Sequence, residues 1–92
     1  MATFMGGSAP AMANQIADGY TLVTQLILKR LSLDQMKQLE FELDKRLRET
    51  RGEPVNLEDQ PALQARNRRI SRIDGSLRVL RHTMQLRRMG RV

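Results

Sequence analysis

The side chains able to do chemistry in this sequence are mostly arginines, and they are concentrated at one end. Residues 61–92 carry nine of them, Arg66, Arg68, Arg69, Arg72, Arg78, Arg81, Arg87, Arg88 and Arg91, against the single acid Asp74, a net charge of +8. Residues 1–60 carry 7 basic and 9 acidic side chains, a net charge of −2. An arginine guanidinium is a planar fork that meets a phosphate or carboxylate with two parallel hydrogen bonds, so this segment has the chemistry of a polyanion binder. The whole chain also prefers arginine, 13 Arg to 3 Lys, which a GC-rich coding sequence produces without any ligand. Wound as a helix, the segment puts Arg68 and Arg72 on the back, Arg69 and Arg87 on one flank, and Arg81 and Arg88 near the other edge. Such a sleeve attracts a nucleic-acid backbone through counterion release and reads base sequence poorly.

Catalytic constellations are not evident. His82 is the one histidine and there is no cysteine, so one chain cannot assemble a common zinc site. Ser71 and Ser76 are eleven and six residues from His82, too far along a helix to bond to it, and Asp74 has Arg78 four residues on, which leaves no aligned nucleophile, base and orienting group. Gly6-Gly7-Ser8 lacks the lysine and the strand context of a phosphate loop. We therefore expect a non-enzymatic protein without metal or cofactor.

Three apolar residues stand apart from the stripes that would form a core. Phe41 falls on the back of its helix, and Val79 and Leu86, seven residues apart, fall on the back of the last one. Exposed apolar groups are ordinary when single. As a set they would give a second contact surface, used for a homodimer or an acidic protein partner, which suits a chain with so thin a core. The rival to nucleic-acid binding is thus a helical protein-protein adaptor or assembly factor, acting through these residues and a heptad seam.

The elements that would position these groups are legible as helices. Ile16, Tyr20, Val23, Ile27 and Leu31 recur every three or four residues and predict a helix over 15–31. Ser32-Leu33-Asp34-Gln35 has the form of a capping box and predicts a second helix over 33–50, with Met36, Leu39, Leu43 and Leu47 inward and a stop at Gly52 and Pro54. On that helix Glu42/Arg46, Asp44/Arg48 and Lys45/Glu49 are four apart, as in a salt-bridged solvent face. Asp59 and Pro61 open a third helix over 60–88, where Leu63, Ile70, Leu77 and Met84 are seven apart and Ile73 and Leu80 fill the alternate seam positions.

The expected fold is all-α: a small three-helix domain over 15–92, with the long C-terminal helix in an antiparallel hairpin, after a flexible tail over 1–14. Phe4 and Met5 are the tail residues suited to docking on the body. With 92 residues and no disulfide, one domain with a thin aliphatic core is the upper bound. No apolar run exceeds three residues, far below the roughly 20 of a membrane span. The first 28 residues hold no Lys or Arg, unlike a signal peptide, so a cytoplasmic protein is expected. The run Arg68-Arg69-Ile70-Ser71-Arg72-Ile73 resembles the basic helix of a two-helix hairpin protein of the large ribosomal subunit. The resemblance covers six residues, requires a one-residue deletion and assigns no family.

Overall fold

A computed structural model describes Phe4 and residues 6–90. Those residues form four helices and no strand: α1 (Ala9–Ala17), α2 (Gln25–Leu28), α3 (Leu33–Gly52) and α4 (Gln60–Arg88). The molecule is an elongated body of 49 × 24 × 18 Å.

The hairpin of α3 and α4 is the frame. The capping box forms as read, with the Gln35 amide donating to Ser32 Oγ at 3.1 Å and the Ser32 amide donating to Gln35 Oε1 at 2.8 Å. Asp59 caps α4 by accepting from the Ala62 amide at 3.2 Å, and Pro61 occupies the first turn. The seam residues Ile73, Leu77, Leu80 and Met84 are buried in one core with Met36, Leu39, Leu43 and Leu47, and Ile70 packs half-buried at its edge. Contacts step through the two helices in opposite directions, Arg66 to Arg51, Arg69 to Thr50 and Arg81 to Glu40, so the pair is antiparallel.

The N-terminal third departs from expectation. The tail predicted over 1–14 is helical from Ala9, because Ser8 accepts from the Ala11 amide at 3.2 Å and Pro10 fits the first turn. α1 buries Met12, Ala13, Ile16 and Ala17 in the core, and Phe4 packs half-buried against it. Met5 and residues 1–3 lie outside the described residues. The single helix predicted over 15–31 is broken at Gly19, whose φ of +85° is a left-handed conformation that glycine adopts without a Cβ penalty. The Tyr20 amide donates to Gln15 O and the Gly19 amide to Ile16 O, the two bonds of a Schellman ending. The chain then runs without helix through 21–24, and α2 begins only after Thr24 caps the Ile27 amide. In consequence Tyr20, placed by its spacing on the inner face, is 84% exposed, while Val23 and Leu31 are buried.

This broken segment lies along α4. Arg72 reaches Ala17 O at its start and Arg87 reaches Leu31 O at its end. Between those two arginines, on the same face of α4, Ser76, Leu80 and Thr83 are buried and Val79 is half-buried. Thr83 satisfies its hydroxyl within the helix, donating to Val79 O at 2.9 Å. Two faces of α4 are therefore covered, one by α3 and one by residues 17–31.

Two glycines separate conformational need from incidental use. A Cβ at Gly75, inside α4, would meet open space. Gly75→Ala should therefore raise the urea unfolding free energy by about 1 kcal/mol. At Gly19 the backbone is left-handed and a Cβ would come within 3.0 Å of Arg72 Cζ, so Gly19→Ala should lower it. A loss at Gly75 or a gain at Gly19 would contradict these placements.

Candidate nucleic-acid interface

A helix ends with carbonyl groups that have no amide partner, and its dipole places partial negative charge there; a cation from a neighbouring element meets both needs. In this fold α4 supplies such a cation to each of the other three helices. Arg72 Nη1 donates to Ala17 O at the end of α1, at 3.3 Å. Arg87 donates through Nη1 to Leu31 O at 2.9 Å and through Nη2 to Lys29 O at 3.4 Å, just past α2. Arg66 Nη2 donates to Arg51 O in the last turn of α3, at 3.2 Å. Arg69 joins two ends at once, donating from Nε to Thr50 Oγ1 of α3 and pairing through Nη1 with Asp18, the C-cap of α1.

The arginines expected to bind phosphate thus divide into groups. Arg66, Arg69, Arg72 and Arg87 are bound to the body of the fold. Arg78 pairs with Asp74 on its own helix at 2.9 Å, and Arg81 crosses to Glu40 on α3 at 2.9 Å, both with largely exposed side chains. Arg68 and Arg88 are exposed without a partner among the described residues, and Arg91 lies outside them. The sleeve seen in sequence is, among the described residues, four arginines that bond to helix ends and four exposed ones that do not.

The exterior charge is polarised along the rod. The end built from residues 29–40 and 78–90 holds seven basic side chains, Lys29, Arg30, Lys37, Arg78, Arg81, Arg87 and Arg88, against two acids, Asp34 and Glu40. The other described residues hold eight basic and eight acidic side chains and are neutral in sum. All of the described residues' net charge therefore lies in one half of a 49 Å body. Lys29, Arg30, Lys37 and Arg88 are exposed there, with no side-chain partner among the described residues. A concentrated field of one sign raises the local concentration of an oppositely charged ligand and speeds encounter.

The three outlying apolar residues do not form one surface. Phe41 is 60% exposed, beside a shallow depression of about 360 Å³ lined by Ala9, Pro10, Lys37, Gln38 and Glu42. Val79 and Leu86 are half-buried, Val79 against the core, because residues 17–31 occupy the face of α4 that the sequence left open. The large apolar groups that do stand out are Tyr20, Leu22 and Leu26, at 84, 79 and 74%, with Leu57 at 73%.

Sequence reasoning also missed the role of Arg46. Its pairing with Glu42, at 2.7 Å, is not a solvent-face bridge, since the side chains are only 13 and 16% exposed. Arg46 also donates to Asn14 Oδ1 at 2.7 Å and to Pro10 O at 3.3 Å, which pins α1 across α3. The signal for this was the Ser8–Pro10 start of α1, without which nothing in the sequence covers that face. Among the described residues, no group of three or more His, Cys, Asp or Glu is placed to hold a metal ion. None of their helices is long and apolar enough to cross a membrane.

Compared with known proteins, the chain matches no family model, no curated protein and no solved structure.

The two kinds of arginine separate by measurement. Arg46→Ala removes the bonds that pin α1 across α3, and Arg72→Gln removes the bond to Ala17 O at the end of α1, so each should lower the urea unfolding free energy by about 1–3 kcal/mol. Arg68→Gln and Arg88→Gln should stay within about 0.5 kcal/mol of the parent. Equal losses at all four positions would show that the helix-end contacts are not what distinguishes them.

Proposed function

We propose that the protein is a non-enzymatic helical module that binds a polyanion, nucleic-acid backbone foremost, through the cationic end of the hairpin. The observation that carries this reading is the charge polarity, with the whole net charge of the described residues in the half formed by 29–40 and 78–90. The contacts we assign are Lys29, Arg30, Lys37 and Arg88 directly, with the exposed Arg78 and Arg81 able to exchange their half-buried carboxylate partners for a phosphate. Exposed ion pairs are worth little, so such an exchange is inexpensive. Arg66, Arg69 and Arg72 act in this reading as structural groups, and Arg68 is an isolated cation in the neutral half. The site is made of phosphate contacts, and the aromatic next to it is Phe41, exposed on α3 beside Lys37, while Tyr20 lies before α2 and Phe4 is half-buried. Binding of this kind is strong at low salt and indifferent to base sequence.

The adaptor reading is favoured by a different observation, the exposure of Tyr20, Leu22 and Leu26 on one short segment. This surface adjoins the cationic end at Lys29 and Arg30 and would act through apolar contact rather than charge.

Fluorescence anisotropy with a labelled duplex of scrambled sequence tests the first reading. Affinity should fall steeply with salt, and the triple variant Lys29→Gln/Arg30→Gln/Arg88→Gln should flatten the log K against log salt slope by about 2–3. Arg68→Gln should flatten it by less than about 1. A triple variant with the parent's slope, or a parent that does not bind at low salt, would refute the reading.

A further inference from the structure

Among the described residues, five of the seven exposed large apolar side chains fall at two places, apart from Phe41 and Met89, and the two places are chemically complementary. The first is the segment 20–30. Tyr20 and Leu22 are two apart in non-helical chain and both face solvent, while Val23 between Leu22 and α2 is buried. Leu26 follows in the first turn of α2, at most about 14 Å of chain from Leu22. Lys29, the C-cap of α2, and Arg30 in the turn after it are exposed three and four residues beyond Leu26. This surface is apolar with a cationic edge, and neither cation has an acidic partner among the described residues.

The second place is the loop between α3 and α4, at the opposite end of the hairpin. Every residue from Arg51 to Gln60 is exposed, including Val55 and Leu57. Glu53 and Glu58 flank those two residues, and neither carboxylate has a partner among the described residues. This surface is apolar with an acidic edge. Two unpaired cations beside apolar groups at one location therefore match two unpaired carboxylates beside apolar groups at another. An exposed Leu at 73–79% on each side also gives the contact an apolar centre.

We propose that the occupant of the Tyr20/Leu22/Leu26 surface is the α3–α4 loop of a second copy of this chain. The two patches lie on different parts of one molecule, so the contact is heterologous: each copy receives one loop and offers another. Contacts of that type propagate as rings or filaments rather than closing as a symmetric dimer. Lys29 and Arg30 are shared with the polyanion-binding end, so a bound nucleic acid competes with the incoming loop for the same charges. The self-association proposal stands on the apolar residues and the loop and does not rest on nucleic-acid binding.

Sedimentation equilibrium of the nucleic-acid-free protein tests it, with Leu26→Asp and Leu57→Asp, two substitutions at exposed positions that leave the core intact. The parent's average mass should rise with concentration over roughly 10 µM to 1 mM, the range a small interface supports. Each variant alone should remain a monomer, with association weakened at least tenfold. A mixture of the two should form a two-chain complex and nothing larger, because Leu57→Asp keeps an intact receiving surface and Leu26→Asp keeps an intact loop. Leu57→Asp should also keep the parent's affinity for a DNA duplex, so failure of this contact is distinguishable from failure of polyanion binding. A parent that stays monomeric would overturn the proposal and assign the surface to a different protein. So would association that survives Leu57→Asp, or two variants that fail to combine on mixing.

Discussion

Three helix ends in this protein are completed by arginines from a fourth helix, and the fold depends on that arrangement. α1 has nine residues and α2 four, lengths at which a helix in water is not stable by itself. Both owe their stability to packing on the α3–α4 hairpin, with Arg72 meeting the last carbonyl of α1 and Arg87 meeting Lys29 O and Leu31 O in the turn that follows α2. The apolar seam of α4 does the larger share of the burial, but a seam is non-directional. The arginines fix where along α4 each helix ends, which turns a greasy surface into a defined register.

This assignment changes the meaning of the composition. Nine arginines in the last third of the chain look like a polyanion-binding sleeve when only the helical wheel is available. In the folded chain, those at Arg66, Arg69, Arg72 and Arg87 are committed to carbonyl, hydroxyl and carboxylate groups of the body. The remaining charge is uneven because the acids of α3 and its following loop neutralise one half of the rod and not the other. Polarity along the body, rather than total charge, is what a binding partner meets.

How much was readable in advance follows from the kind of signal each element carries. The hairpin was legible because α3 and α4 have long apolar periods bounded by strong local caps, Ser32 with Gln35 at one start and Asp59 with Pro61 at the other. The N-terminal region was not, because Ile16, Tyr20, Val23, Ile27 and Leu31 keep helical spacing across a break. The local evidence for the break was present in Gly19 and in the β-branched Thr21, Val23 and Thr24, and the periodicity outweighed it. Ser8 and Pro10 marked the start of α1 just as clearly, inside a stretch whose glycines suggested a linker. Once α1 and the 19–31 segment are displaced from one continuous helix, the errors at the surface follow. Val79 and Leu86 become covered, Tyr20 becomes exposed, and Arg46 with Glu42 passes under α1. Which arginines are spent on the fold was not readable at all, since an arginine that caps a distant helix has the same local sequence as one in solvent.

The most direct test of the central claim is a residue-resolved NMR titration of the protein with a short DNA duplex at low salt. Charge polarity predicts that amide shifts concentrate in residues 29–37 and 78–90, while the region around Arg66, Arg69 and Arg72 is undisturbed. Shifts distributed evenly along α4, or centred on Arg66 to Arg72, would show that the arginine sleeve itself is the binding surface and that its contacts with the helix ends are dispensable.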